Sequence, residues 1–571
     1  MPAVPRRAET VLRRLEAVRR VRPGAREAAR ALAEAARLRP RSAEDLIRLH
    51  EAALFLRAYP HDRRVAARAE GVLRTIARRV AGLEASGEDL SPFDAPEVAG
   101  IAGTTLGTDF SFDVVRFLAR RFPGRVRLAW DAGAAEERMR ASWPDFLPLL
   151  SEEALADANV AYLDWIAAAA GPRRDDPEWL LRRYAALPGR RGDRADRFDA
   201  LGVAIAWRLG DGRATRTRMR VPARGTRPFF HDAPFLARRD VRLDAVLSGP
   251  RMRVRRLGRA EGQRICDLMR EATAARYREF YTFTYADPAT VLAARPGRGV
   301  DLYLVGVTPD RRLPLRSAYG GFVVKNGIPI GYIEGLALAE RLEIGFNMYY
   351  TFREGESAWI YAQVLKLHRD ALGVTSFSID PYQLGFENDE ALDSGAFWFY
   401  RKLGFRPTDG AVRARVEREE ARIAADPAHR SSRATLKRLV AHNAIYDAPG
   451  ARHAPGAWDR FHVRKIGLAV NRRMRGVFGG DASRLRGGAV RRVARALGVA
   501  PSRWSDLEAR AFEGFAVVLD LVPDLARWSP AERRAVVAVV RAKADRDERG
   551  YLRLLQRHAR LRAAILRLGS R

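Results

Sequence analysis

Asn326-Gly327 separates two apolar runs, with Tyr319, Phe322 and Val324 before it and Ile328, Ile330 and Ile333 after it. Asn-Gly accepts the two positive φ angles of a type I′ turn, whose twist suits paired strands, so the stretch predicts a tight antiparallel hairpin. The segment after it alternates with period two. Ile344, Phe346, Met348, Tyr350 and Phe352 fall on one face, and Glu343, Asn347, Tyr349 and Thr351 on the other, which predicts a further strand. The period then changes. Beyond Arg353-Glu354-Gly355-Glu356, Ile360, Val364, Leu367 and Ala371 recur at helical steps from a start near Ser357, and Gly373 suits a left-handed C-terminal cap. Residues 374–379 read as a strand. A last helix through Ala396, Phe397, Phe399, Tyr400 and Leu403 ends at Gly404, with Asp393 or Ser394 as the expected N-cap. Upstream, residues 251–257 and 301–307 read as strands flanking a helix through Ile265, Leu268, Met269 and Ala272.

This unit, residues 251–410, is only part of the chain. At about 100 to 200 residues per domain, 571 residues predict three or four domains. Residues 1–90 carry apolar side chains at helical steps (Leu12, Leu15, Val18; Leu46, Leu49, Ala53, Leu56) and are expected to form a small helical bundle. Residues 91–250 form a mixed segment with no chemistry legible in it, and residues 411–571 a basic helical region. The expected fold class is α/β, of the α+β kind: a central mixed sheet with flanking helices, between mainly helical N- and C-terminal regions.

The single cysteine, Cys266, excludes an internal disulfide, and no Cys/His grouping has zinc-ligand spacing. No run of 18 apolar residues occurs and the N-terminus lacks a secretory apolar core, so a cytoplasmic protein without a membrane span is expected.

Residues 396–405, Ala396-Phe-Trp-Phe-Tyr400-Arg-Lys-Leu-Gly404-Phe405, resemble the late helix of the GNAT superfamily of acyl-CoA-dependent N-acetyltransferases, in which an alanine, a tyrosine four places on and a terminal Gly-Phe recur. The order hairpin, strand, glycine-containing turn, helix, strand, aromatic helix is similar to that family as well. The resemblance implies a GNAT-like domain at 251–410, acetyl-CoA or another acyl-CoA as co-substrate, and a small-molecule or protein amine as acceptor. It implies Tyr400 as the acid that protonates the leaving thiolate, and it places the CoA pyrophosphate on the turn Phe352, Arg353, Glu354, Gly355, Glu356, Ser357 and Ala358. Helix N-termini favour such an anion, because unpaired N–H groups and the positive dipole end point at it. Two features oppose it. Phe352 stands where the family usually has Arg or Gln, and a carboxylate from Glu354 or Glu356 beside a pyrophosphate repels it unless it points away. Glu343 and Glu334 are the candidate bases, and residues 380–384 and 388–390 the candidate acceptor contacts. The alternative is a non-catalytic module of the same fold.

A formal charge of +33 raises a second possibility, contact with nucleic acid or another acidic partner. Of 102 basic residues only 6 are Lys, a skew toward Arg that scatters positive charge over solvated faces. Between Arg460 and Ala500, however, 11 basic residues meet one acid, Asp481, and residues 493–504 have the phrasing of a helix-turn-helix. Other short motifs carry less. His50-Glu51 lacks the second histidine of a zincin, since position 54 is Leu54, and the Gly100–Gly103 turn is followed by no Gly-Lys-Ser/Thr. Cys266 lies in an apolar helical run and is expected in the core.

Overall fold

Asn326 and Gly327 take φ angles of 49° and 79°, the turn that Asn-Gly predicts, and join β7 (Ser317–Lys325) to β8 (Ile328–Leu338) as antiparallel neighbours, with a one-residue register shift between Val323 and Val324. The computed structural model describes residues 4–20, 24–130, 162–189, 191–222 and 227–571, with a few isolated positions between 131 and 161. Around the hairpin lies a nine-stranded sheet. Its spatial order is β11 (Arg406–Pro407), β12 (Ala444–Asp447), β10 (Ser376–Ile379), β9 (Arg341–Met348), β8, β7, β6 (Val300–Gly306), β5 (Leu292–Gly297) and β4 (Val254–Arg256). Every neighbouring pair is antiparallel except β9 with β10, which the helix Ser357–Leu372 connects. Parallel neighbours need such a crossover.

The fold is mixed α/β, and several sequence expectations are met at residue level. Helix Ser357–Leu372 buries Ile360, Val364 and Leu367 and ends on Gly373 at φ 73°. Two expectations need correction. The period-two strand was expected to continue to Phe352, but β9 stops at Met348 and Tyr350–Phe352 is a short 3-10 turn. The cause is competition from other partners: Thr351 bonds to Glu51 and Arg216, and Phe352 packs against Tyr59, so these residues leave the ladder. The aromatic helix Ala396–Arg401 is entered through Gly395 at φ 70°, with no side-chain cap. Ser394 bonds back to the Ala391 carbonyl and Asp393 pairs with Arg433 instead.

The N-terminal region forms five helices, Val4–Arg20, Ala25–Ala36, Ala43–Ala58, Arg63–Leu73 and Ile76–Ala85. Ser42 and Asp62 cap two of them, and their apolar faces share one core with the large sheet. Within residues 91–250, β1 (Thr105–Asp109), β2 (Val126–Ala129) and β3 (Ala204–Arg208) form a separate three-stranded sheet with its own core around Leu106, Leu180, Phe198 and Trp207. Leu243 and Leu247, at the end of that segment, pack into the main core. The C-terminal region is not helical alone: its first contribution to the sheet is β12, inserted between β10 and β11, so the sheet extends past residue 410. Among the described residues no helix is long and apolar enough to cross a membrane.

Candidate functional site

β9 pairs with β8 as far as Met348 but with β10 only at Arg341, Leu342 and Glu343, opposite Ser376, Phe377 and Ser378. β10 ends at Ile379, so Gly345 to Met348 of β9 have no strand beside them on that side. The gap is a cleft of about 420 Å³, walled by Tyr332 and Glu334 of β8, Gly345 to Met348 of β9, Arg353 and Ser357 at the start of the crossover helix, and Phe399 and Tyr400 of the aromatic helix. Alternate backbone N–H groups of β9 that do not meet β8 face this gap, because an antiparallel strand bonds each neighbour with every second residue.

Register sets the polar wall. Tyr332 lies opposite Asn347 and Glu334 opposite Gly345, and the Asn347 side-chain amide donates to the Tyr332 hydroxyl at 3.0 Å. Glu334 is largely buried and its nearest polar partner is the Thr282 hydroxyl at 3.4 Å, so burial raises its carboxyl above the usual range. Tyr400 lines the cleft within an aromatic cluster, its ring 5.5 Å from Tyr361 and 5.8 Å from Phe405, and burial pushes its phenol up. Glu343 shares the sheet face of Glu334 but does not line the cleft. It lies beside Arg316 at 3.5 Å and Arg341 at 3.4 Å, an ion-paired carboxylate where β9 still pairs with β10.

The turn before the crossover helix divides in two. Arg353 and Ser357 face the cleft, and the Ser357 hydroxyl donates to the Arg353 carbonyl at 2.9 Å. Arg353 also spans the cleft mouth: its guanidinium lies 3.8 Å over the Tyr350 ring and 2.6 Å from Glu390. Phe352, Glu356 and Ala358 are buried, while Glu354 is exposed and lines no part of the cleft. Gly355 faces the N-terminal helices, where a β-carbon would fall 2.6 Å from the Tyr59 ring, so only glycine lets Tyr59 close over this point. Glu356 has no solvent exposure. It accepts from Arg298 (Nε at 3.0 Å) and from the Leu236 backbone N–H at 3.1 Å, and it lies 3.6 Å from Lys325. Burial brings the Lys325 ammonium down from 10.5 to about 7, against the pull of Glu356. Of the seven residues expected to cradle a pyrophosphate, then, two meet the cleft.

The loop after β10 also contributes. Asp380 and Asn388 cap short helices, accepting from the backbone N–H groups of Tyr382 and Ala391, while Tyr382, Gln383, Asn388 and Glu390 line the cleft. Sequence reasoning missed Arg278 and Phe280, which reach the cleft from a distant loop. Phe280 is held there by the Tyr332 ring at 4.4 Å, a contact with no local signal.

The remaining motifs resolve into structure. His50 is buried between Glu51 at 2.8 Å and the Thr217 hydroxyl at 2.9 Å. Gly100 gives room for the Ala275 carbonyl, which a β-carbon would meet at 2.1 Å, and burial pushes the Cys266 thiol up to about 12. Among the described residues no group of three or more His, Cys, Asp or Glu side chains is placed to hold a metal ion. In the basic region, Arg473 and Arg492 both pair with Asp520, whereas Arg464, Arg472, Arg475, Arg484, Arg491 and Arg495 are exposed. The helix-turn-helix phrasing gives helices Ala482–Leu497 and Asp506–Leu519, but the second carries Asp506, Glu508 and Glu513, which oppose entry into a groove lined by phosphates. Comparison with protein-family models, with curated proteins and with solved structures finds no match to this chain.

Proposed function

We propose that the cleft along β9, beyond the end of β10, transfers an acyl group from an acyl-CoA thioester to an amine. One observation carries this reading: beyond the end of β10, the exposed edge of β9 and the start of the crossover helix border one cleft, and both Glu334 and Tyr400 line it. An amine attacks the thioester carbonyl as the free base. Glu334, with its raised affinity for a proton, takes the ammonium proton that frees the amine, and the N–H proton lost from the tetrahedral intermediate replaces the one that Tyr400 gives to sulfur. The oxyanion of the tetrahedral intermediate is stabilised by β9 backbone N–H groups that have lost β10 as a partner. As the C–S bond breaks, the Tyr400 phenol, held protonated by burial, supplies the proton that lets sulfur leave as a thiol. Arg353 and the N-terminus of the helix at Ser357 supply positive charge for the diphosphate of the donor.

The test is calorimetric titration with acetyl-CoA, followed by thiol release against a panel of amines. Ser357→Asp places a carboxylate where it favours the helix but repels a diphosphate, so binding is expected to be lost without loss of folding. Tyr400→Phe is expected to keep binding and to lower turnover by about 10²–10⁴-fold. A folded parent chain that binds no acetyl-CoA refutes the reading.

A second reading has its own support. Tyr59 on Gly355 and the Arg353–Glu390 pair across the mouth leave little of the turn open, which favours a non-catalytic module whose basic helices meet an acidic partner. Retention of a nucleic acid by a chain that ignores acetyl-CoA would select it.

A further inference from the structure

Helices Val463–Phe478 and Asp506–Leu519 stand apart over the loop before β7 and leave a trench of about 640 Å³. Its walls are small and apolar: Ile466, Gly467 and Val470 on one helix face Ala511, Gly514 and Val517 on the other, and Leu315 lies on the floor. From Leu507 to Val518 the lining follows one helix for about 16 Å, at 1.5 Å per residue. The volume lies within the range of about 300–1,000 Å³ usual for ligand pockets with apolar walls and few polar groups.

Charge selects the occupant. Arg486 and Arg510 line the trench, are exposed, and meet no carboxylate among the described residues, whereas the other cations along it, Arg312, Arg316 and Lys543, are engaged by carbonyls or carboxylates. Glu513 is the only carboxylate among the described residues that line it. Leu507 lines it with 40% exposure, apolar surface that an apolar ligand would cover.

We propose that this trench binds a long-chain fatty acid, with the aliphatic chain between Gly467 and Gly514 and the carboxylate held by Arg486 and Arg510. No residue of this site lies in the cleft along β9, so the two readings stand or fall separately.

The test is calorimetric titration of the full chain with palmitate, kept below its aggregation threshold, beside hexadecyltrimethylammonium as a ligand of equal chain and opposite charge. Gly467→Leu is the informative variant. A β-carbon there meets nothing within 4 Å, and leucine is the better helix former, so the helix is strengthened while the trench is filled. Expected are saturable binding of palmitate by the parent, an affinity lowered by about tenfold or more in Gly467→Leu, and a similar loss in Arg486→Glu/Arg510→Glu for palmitate but not for the cationic ligand. Absence of palmitate binding, or binding unchanged in Gly467→Leu, overturns the proposal. So does a dimer of the parent that Gly467→Leu dissociates, which would assign the trench to a second copy of the chain.

Discussion

The two sides of the turn between β9 and the crossover helix differ in almost every physical respect. On the side of the N-terminal helices, Phe352, Gly355 and Glu356 are sealed by Tyr59, Arg298 and Lys325. On the other, Arg353 and Ser357 border an open cleft. Different residues of one short segment thus tie the N-terminal helices to the sheet and shape a candidate site. A glutamate that looks hostile to an anion in sequence is neutralised on the side where no anion could enter.

The largest effect is expected from the sealed side. Glu356→Ala leaves Arg298 and Lys325 facing each other without their carboxylate, and loss of one partner from a buried ion pair costs roughly 3–5 kcal/mol. Urea denaturation monitored by tryptophan fluorescence measures it, and a change below 1 kcal/mol would show that the cluster contributes nothing net.

A pH dependence follows from the same cluster. The folded Lys325 releases its proton near pH 7 and the unfolded lysine near 10.5, so the unfolded chain holds the extra proton between those values. Stability contributed at this site therefore rises as pH rises from about 7 to 10.5, and its cost is fully present below that window. Denaturation midpoints across the window should show this slope, and Lys325→Met should flatten it; an unchanged slope in the variant would assign it to other groups.

The smallest effect is expected at the cleft mouth. Arg353 and Glu390 are 31% and 43% exposed, and a pair so solvated contributes about 0–1 kcal/mol. Arg353→Ala should leave the denaturation midpoint nearly unchanged while weakening acetyl-CoA binding. A large loss of stability would erase the contrast between the two sides.

Much of the sheet was legible in sequence because its signals are local. Asn326-Gly327 dictates its own turn, β9 advertises its faces by alternation, and Gly373 marks the end of its helix through a φ that other residues avoid. What was not legible depends on residues far apart in the chain. The burial of Glu356 needs Arg298, Lys325 and Tyr59, and nothing near Gly355 announces a tyrosine about 300 residues away in sequence. The short strand β12 carries too few residues for a periodic signal, and the three-stranded sheet of residues 91–250 is built from strands of four or five residues far apart in the chain. Of the candidate site residues, Tyr400 came from the resemblance of residues 396–405 and Glu334 from its place in the hairpin, and both line the cleft. That Glu343 does not line the cleft follows from its pairing with Ser378 of β10, a fact of register that alternation does not encode.

The insertion of β12 between β10 and β11 has a consequence for how the chain matures during synthesis. Until residue 447 has left the ribosome, β10 presents a row of unsatisfied backbone donors and acceptors, and β11 has no strand to join. Such an open edge is a template for pairing with another nascent chain. A product terminated at residue 410 would therefore carry every residue that lines the cleft, yet leave the edge of β10 open to pairing with another chain.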